Sequence, residues 1–140
     1  MTVLRNGGRR GRRIAGVQQG QVFHDGRRGS SLIILDRDGV LNQTPSDRRV
    51  ARPGNVLRPE DVVVFPWVPA LLGELTSAGY ALAIATNQPA HAKGEASLEA
   101  LRQVHERVLS EAEREGGIIG SSHICFHRAE DRCACRKPKS

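Results

Sequence analysis

The sequence predicts an α/β fold in which short parallel strands alternate with amphipathic helices. Three apolar runs carry this prediction: SLIIL (residues 31–35), YALAIATN (80–87) and SSHICF (121–126). Each run has the length and composition of a buried strand; polar residues directly follow the first run and form the end of the second. Between the runs lie two segments whose apolar residues recur at helical spacing. The resulting order of strand, helix, strand, helix, strand is typical of a parallel sheet.

The first helix is predicted within residues 66–80, where Gly79 marks its C-terminal end. Its apolar residues at helical spacing are Val68, Leu71, Leu72 and Leu75. The second helix is predicted over residues 97–115, and its apolar stripe consists of Leu98, Leu101, Val104 and Val108. Proline and glycine in residues 42–59 predict a long loop over one end of the sheet, and DVVVF (61–65) predicts a brief additional strand.

The charge is distributed unevenly along the chain. Residues 1–30 contain seven arginines and one aspartate, which account for the whole net charge of +6, whereas residues 31–140 contain 14 basic and 14 acidic residues. Residues 1–30 are also rich in glycine and poor in apolar side chains, so we expect a disordered tail that cannot offset its ordering entropy by burial. Residues 31–140 are expected to form one domain.

The basic tail could be a nucleic-acid arm or an organellar presequence, but a passive extension or a start codon assigned too early is favoured. Because the domain itself is neutral, a nucleic-acid partner is disfavoured. No apolar stretch reaches the roughly 18–20 residues that a membrane span needs, so no membrane partner is expected. The start also lacks the apolar segment of a secretion signal. The cytoplasm is therefore the predicted location.

Polar residues follow the predicted strands at what should be one edge of the sheet. Asp36 and Asp38 come after the first strand, and Thr86 and Asn87 end the second. Ligands of open α/β sheets bind beyond the carboxyl ends of the strands. A carboxylate can attack phosphorus there, while a second acid protonates the leaving oxygen and later activates water. A hydroxyl and main-chain N–H groups can hold the phosphoryl oxygens.

The three cysteines of the chain lie within its last sixteen residues and predict a metal site. Together with one histidine they form the pattern CxH, five residues, CxC: Cys125, His127, Cys133 and Cys135. Three thiolates and one imidazole suit tetrahedral Zn²⁺ and leave no open position, so the ion should stabilise a loop rather than catalyse. His123 is an alternative ligand, although a histidine in a strand is more often packed. We expect His24, His91 and His105 at the surface.

DRDGVLN (residues 36–42) resembles the first motif of the haloacid dehalogenase (HAD) superfamily, in the form typical of its subfamily IIIA phosphatases for histidinol phosphate and for sugar bisphosphates. The resemblance implies a Rossmann-like parallel sheet with flanking helices. It also implies that Asp36 is the nucleophile and Asp38 the general acid/base. Mg²⁺ would be bound by a carboxylate oxygen of Asp36 and the main-chain carbonyl of Asp38, among other ligands.

Two further stretches extend the resemblance. ATNQ (85–88) resembles the second motif of the family, which implies that Thr86 and Asn87 contact phosphate. The sequence CRKPK follows the zinc pattern and resembles the third motif. It implies that Lys137 neutralises the charge of nucleophile and phosphate and that Arg136 contacts a substrate phosphate. The family then continues with a fourth motif that completes the Mg²⁺ site, and this sequence ends before it, so the sheet is expected to be incomplete at its C-terminal side.

These observations predict a phosphomonoesterase that acts through an aspartyl phosphate on a small phosphorylated metabolite, namely a sugar bisphosphate similar to heptose 1,7-bisphosphate. Histidinol phosphate is the alternative substrate. The chain is expected to be a fragment of a longer enzyme, or else a truncated protein that a partner completes. A different class of function is an inactive zinc-stabilised module whose basic tail binds nucleic acid.

Overall fold

A computed structural model describes residues 31–44 and 54–139 of the chain. The strands are β1 (Leu32–Leu35), β2 (Ala81–Asn87) and β3 (Ile119–Cys125). The helices are α1 (Val68–Ser77) and α2 (Leu98–Ala112), and a short 3₁₀ turn spans Pro59–Asp61. The predicted disordered tail, residues 1–30, lies outside the described residues, as does the middle of the predicted long loop, residues 45–53.

The three strands form one parallel sheet in the order β1-β2-β3. This order confirms the predicted α/β fold with a parallel sheet. Leu35 pairs with Ile84, and Asn87 pairs with Cys125. The three strands therefore reach the same edge of the sheet, and the polar segments that follow β1, β2 and β3 start close to one another.

The core lies between one face of the sheet and the two helices. Its fully buried members include Leu72 of α1, Ile84 of β2 and Val108 of α2. The other face of β1 is exposed in the described part of the chain, where Leu32 and Ile34 are 59% and 62% accessible to solvent. Parallel sheets are normally covered on both faces, so this apolar surface is unusual for the fold.

The helices begin and end close to the predicted positions. The Ser97 hydroxyl accepts a hydrogen bond from the backbone N–H of Ala100 at 3.0 Å and caps the N-terminus of α2. The predicted stripe of α2 is confirmed, since Leu101, Val104 and Val108 are buried. Leu71 belongs to the apolar set at helical spacing on α1, yet it is 41% exposed. Leu72, one position further along the helix, points into the core instead.

The prediction of a brief strand over residues 61–65 is wrong. Only Val64 pairs, in an isolated bridge with Asn42, supported by hydrogen bonds from the Gln43 N–H to the Val63 carbonyl and from the Phe65 N–H to the Leu41 carbonyl. The partner segment turns sharply just before this bridge, where the N–H groups of Leu41 and Asn42 both donate to the Arg37 carbonyl. The described part of this segment, up to residue 44, therefore offers too few extended residues for a longer ladder.

Two predictions about histidines are also wrong, and one is confirmed. His105 is 1% exposed rather than at the surface, because it lies one helical turn after Leu101 on the buried stripe of α2. His123 is exposed rather than packed, because β3 is an edge strand of the described sheet. His91 is exposed as expected, whereas His24 lies outside the described residues. None of the helices in residues 31–44 and 54–139 has the length and apolar character needed to cross a bilayer.

Candidate functional site

A cavity of about 470 Å³ lies at the carboxyl ends of β1 and β2. Five of the six residues predicted to serve catalysis or phosphate binding line it: Asp36, Asp38, Thr86, Asn87 and Lys137. Gly39, Thr44, Gly54 and Asn55 complete the lining. Topology explains this convergence, because the chain leaves each parallel strand at the same edge of the sheet. The sixth residue, Arg136, is held beside the predicted metal site, where its guanidinium donates to the His127 carbonyl at 3.1 Å.

Asp36 is placed between a backbone donor and a cation. Its Oδ1 accepts a hydrogen bond from the Arg37 N–H at 2.7 Å, and its Oδ2 lies 2.9 Å from the Lys137 ammonium. Both side chains remain partly exposed, at 43% for Asp36 and 31% for Lys137. A carboxylate that is fixed on one side and open on the other can approach a bound electrophile, and the ammonium can neutralise the negative charge gathered there.

The Asp38 side chain is more buried than that of Asp36, and it accepts more hydrogen bonds. The fully buried Arg37 donates to both of its oxygens, from Nε to Oδ1 at 3.0 Å and from the terminal nitrogen NH2 to Oδ2 at 3.1 Å. Gln88 donates to the same Oδ2 at 2.7 Å. Burial raises the pKa of Asp38, but the charge and hydrogen bonds of Arg37 and the Gln88 donor outweigh burial, so the pKa lies below its ordinary value. Asp38 is therefore ionised in this arrangement at neutral pH.

Asn87 connects β2 to the segment that carries Lys137. Its side-chain oxygen accepts the Lys137 N–H at 3.1 Å, and its side-chain nitrogen donates to the Lys137 carbonyl at 3.3 Å. The two residues are fifty positions apart in the sequence. This reciprocal pair holds the Lys137 backbone at the end of the sheet, which allows the Lys137 ammonium to reach Asp36.

The four predicted metal ligands form one cluster after β3. The ligand atoms of Cys125, His127, Cys133 and Cys135 all lie within 4.8 Å of one another. The three sulfurs are 3.5 to 3.6 Å apart. The His127 Nδ1 lies 3.7 Å from the Cys125 sulfur and 3.2 Å from that of Cys135. In a tetrahedral Zn²⁺ site with Zn–S bonds of about 2.3 Å, sulfurs are separated by about 3.8 Å, so the cluster has nearly the size that this ion requires.

The charges of the cluster also favour a cation. Burial and the neighbouring Cys125 and Cys133 sulfurs raise the pKa of the Cys135 thiol to about 12. Against the effect of burial, hydrogen bonds from its neighbours lower the pKa of Cys133, so the penalty falls on Cys135, and a bound cation would remove it. His123 is not a member of the cluster. The Cys/His set is therefore a group in the described part of the chain that could hold a metal ion, and its geometry and chemistry fit Zn²⁺.

Comparison with known proteins places this geometry in a family. A heptose-1,7-bisphosphate 7-phosphatase of Bordetella bronchiseptica is 36% identical over 107 residues, which are 76% of this chain and 56% of the relative. A crystal structure of the B. bronchiseptica D,D-heptose 1,7-bisphosphate phosphatase, complexed with magnesium and phosphate, superposes with a TM-score of 0.66 at 35% identity, covering 77% of this chain and 56% of the other. A candidate HAD-like phosphatase of Mesorhizobium loti superposes with a TM-score of 0.62 at 25% identity, covering 79% of this chain and 52% of the other.

The chain belongs to the HAD superfamily. It spans little more than half the length of the heptose-bisphosphate phosphatase relatives described above. A more distant relative is the histidine biosynthesis bifunctional protein HisB of Legionella pneumophila, 31% identical over 109 residues, which are 78% of this chain and 29% of that protein. No protein-family model matches the chain.

Sequence reasoning missed a group of buried polar side chains behind the HAD site. Its members are all at most 1% exposed: Arg37, Asn42, Gln88 and His105. Each has at least one polar side-chain atom without a hydrogen-bond partner among the described residues. His105 could have been found from its place on the apolar stripe of α2. Arg37 could not, because an arginine between two aspartates is usually solvated and only the folded chain shows that this one points inward.

His105 gives the HAD domain a specific pH dependence. Burial and, to a smaller extent, the nearby Arg37 charge lower its pKa to about 4, against a weaker opposite effect of the Asp38 carboxylate. Between the ordinary pKa of 6.5 and this value, the unfolded chain binds a proton that the folded chain does not. Stability should therefore fall as the pH decreases from 6.5 to about 4, by on the order of 3 kcal/mol.

Chemical denaturation at pH 7.5 and pH 4.5 measures this loss. His105→Leu should remove most of it, whereas His123→Leu, which changes an exposed histidine on β3, should retain it. The comparison between the two variants cancels any loss of stability that both share at low pH. An equal pH dependence in both variants would contradict the assignment to His105.

Proposed function

We propose that this HAD domain hydrolyses phosphomonoesters through an aspartyl phosphate. The observation that carries the proposal is the placement of Asp36, whose carboxylate lines the cavity and lies 2.9 Å from the Lys137 ammonium. Asp36 attacks phosphorus, and the bond to the leaving oxygen breaks. Asp38, which is ionised before substrate binds, must first take up a proton from the solvent or from the protonated phosphate monoester, and it then donates this proton to the leaving oxygen. Water then attacks the aspartyl phosphate, Asp38 accepts its proton, and phosphate and free Asp36 are formed.

The remaining cavity residues are assigned to charge and orientation. Lys137 compensates the charge of Asp36 and of the phosphoryl oxygens, which grows more diffuse during transfer. The Thr86 hydroxyl and the Asn87 segment contact the phosphoryl group, and Arg136 contacts a second phosphate or another anionic part of the substrate. The support for these roles is the convergence of Thr86, Asn87 and Lys137 on one cavity, together with the match to the family motifs.

Two metal ions are part of the proposal. Mg²⁺, which the related B. bronchiseptica structure contains, would be bound by the Asp36 carboxylate and the Asp38 main-chain carbonyl. This ion prefers six oxygen ligands and would supply positive charge at the phosphoryl oxygens. Among the described residues, Asp36 and Asp38 are the only acidic side chains that line the cavity. Zn²⁺ would occupy the Cys/His cluster and stabilise the loop that carries Arg136 and Lys137.

The proposed substrate is a small sugar bisphosphate of the heptose 1,7-bisphosphate type. The support is the name shared by several relatives at 35 to 37% identity, together with the loop TNQPAHAKG. Histidinol phosphate is the second candidate, because a histidine-biosynthesis protein is also a relative, at 31% identity. Turnover of a small phosphorylated metabolite would fit the predicted cytoplasmic location, which stays a prediction.

A further polypeptide segment is proposed to complete the domain. The chain matches 56 to 57% of the length of the first relatives, and the outer face of β1 exposes Leu32 and Ile34. Either a continuation of the same chain or a separate partner would cover this face and supply the acidic residue that a complete Mg²⁺ site requires. A nucleic-acid-binding module is the competing function, and the neutral charge of residues 31–140 argues against it.

Phosphate release from a panel of substrates tests the proposal. The protein, alone and joined to the C-terminal portion of a heptose-bisphosphate phosphatase relative, is assayed with heptose 1,7-bisphosphate, histidinol phosphate and a simple aryl phosphate in the presence of Mg²⁺. The expected result is preferential turnover of the heptose bisphosphate. Preference for histidinol phosphate would select the second candidate. Absence of turnover in every combination would refute phosphomonoester hydrolysis.

A further inference from the structure

Gln88 follows directly after β2 and is fully buried beneath the cavity. Its backbone is fixed, because its N–H donates to the Cys125 carbonyl at 2.6 Å and so continues the pairing of β2 with β3. Its side chain is fixed as well, because one amide nitrogen donates both to the Asp38 Oδ2 at 2.7 Å and to the Thr86 hydroxyl at 2.9 Å. A single side chain thus contacts the two residues that are assigned to proton transfer and to phosphate binding.

The chemistry of the partners decides which way the amide points. Both oxygens of Asp38 already accept hydrogen bonds from Arg37, so the group of Gln88 that faces Asp38 is the donor NH₂ and not the oxygen. The Gln88 oxygen is then directed away, and it has no hydrogen-bond partner among the described residues. Leaving a buried acceptor unpaired is unfavourable unless water reaches it. This cost indicates that the orientation of the amide is set by Asp38 and Thr86 and not by the needs of Gln88 itself.

The same orientation of the Gln88 amide fixes the direction in which the Thr86 hydroxyl donates its hydrogen. Because the hydroxyl oxygen accepts a hydrogen from Gln88, its own hydrogen is free to point into the cavity, which Thr86 lines. A phosphoryl group offers only acceptors at neutral pH, so a hydroxyl with its hydrogen turned toward the cavity is ready to donate to it. A rotated Gln88 amide would accept from Thr86 and would turn this hydrogen away from the cavity.

We propose that Gln88 is a positioning residue that fixes the Asp38 carboxylate and orients the Thr86 hydroxyl as a donor to the phosphoryl group. Arg37 shares the first task, since it binds both oxygens of Asp38 from the buried side. Gln88 alone contacts both residues among the hydrogen bonds observed in the described part of the chain. The positioning role rests on the proposed phosphatase function, because it concerns the residues that function uses.

Two variants separate the positioning role from simple packing. Gln88→Leu removes both donated hydrogen bonds, and Gln88→Glu keeps the size of the side chain but places an acceptor where Asp38 needs a donor. Both should lower kcat by about 10- to 100-fold, because a misplaced general acid/base loses most of its contribution to the rate. KM should change by less than about threefold, since Asp36 and Lys137 remain in place. Gln103→Leu, at an exposed position of α2, is the matched control and should leave both constants unchanged.

A second measurement does not depend on turnover. In protein labelled with ¹³C at aspartate carboxyl groups, the Asp38 resonance should shift in Gln88→Leu and Gln88→Glu, whereas the Asp36 resonance should stay in place. Assignment uses Asp36→Asn and Asp38→Asn. If neither the unaltered protein nor its form joined to the C-terminal portion of a relative shows turnover but the Asp38 resonance shifts, the proposed function fails and the contact of Gln88 with Asp38 stands. An unshifted Asp38 resonance, or a Gln88→Glu variant with unchanged kcat, would overturn the positioning role.

Discussion

Asp36→Asn is expected to lower phosphate release by at least about 10³-fold, because an amide cannot form the covalent intermediate. The rest of the cavity should persist. Oδ1 of the new side chain can still accept the Arg37 N–H, and the Lys137 ammonium is 31% exposed and can be hydrated once its partner is neutral. The variant should therefore lose less than about 1 kcal/mol of stability, as partly exposed ion pairs usually contribute little.

The measurement compares initial rates of phosphate release, metal content and unfolding for the variant and the unaltered protein, both in the form that shows turnover. Asp61→Asn is the matched control. It makes the same substitution at an exposed aspartate whose carboxylate pairs with Arg58 at 3.1 Å. Zinc content should be equal in all three proteins, because the Cys/His cluster contains no aspartate. A variant that retains turnover would refute Asp36 as the nucleophile.

Much of the fold and of the candidate site followed from local patterns. The apolar runs at β1, β2 and β3 predicted a parallel sheet, and parallel strands bring their carboxyl ends together. This rule is why Asp36 and Asn87, which are far apart in the sequence, could both be predicted at one site. The Cys/His cluster was predictable for a different reason, since the spacing of cysteines and histidine is itself a chemical pattern.

What remained hidden depends on contacts that form only in the folded chain. Arg37 is buried near His105 of α2, which is far from it in the sequence, and the reciprocal hydrogen bonds between Asn87 and Lys137 require the loop after β3 to fold back. A run such as DVVVF has the composition of a strand, yet only Val64 pairs, because the described part of the chain places no extended partner of sufficient length beside it. Contacts between segments that are distant in the sequence therefore explain both the buried polar side chains behind the site and the failure of residues 61–65 to form the predicted strand.

His127→Asn is expected to abolish zinc binding and to destabilise the segment that carries Lys137. The segment is attached to the sheet at two places, the cluster at the end of β3 and the Asn87 hydrogen bonds. The Arg128 guanidinium adds a contact from the metal loop to the Ala92 carbonyl in the loop after β2. Structural zinc contributes apparent binding energies of about 10–16 kcal/mol in small zinc-dependent folds, so removing one ligand should cost several kcal/mol of stability.

His123→Asn provides the control, because it makes the same substitution at a histidine of β3 that lies outside the cluster. The unaltered protein and His123→Asn should each bind one equivalent of zinc, measured by elemental analysis after dialysis, and His127→Asn should bind less than about 0.1 equivalent.

Activity should follow zinc content, because Lys137 loses its fixed position when the loop is released, and a fall of about 100-fold is expected. Loss of zinc with unchanged stability and turnover would show that the Asn87 hydrogen bonds alone hold Lys137 against Asp36. Equal zinc binding by both variants would instead show that the three cysteines suffice and that His127 is not a ligand.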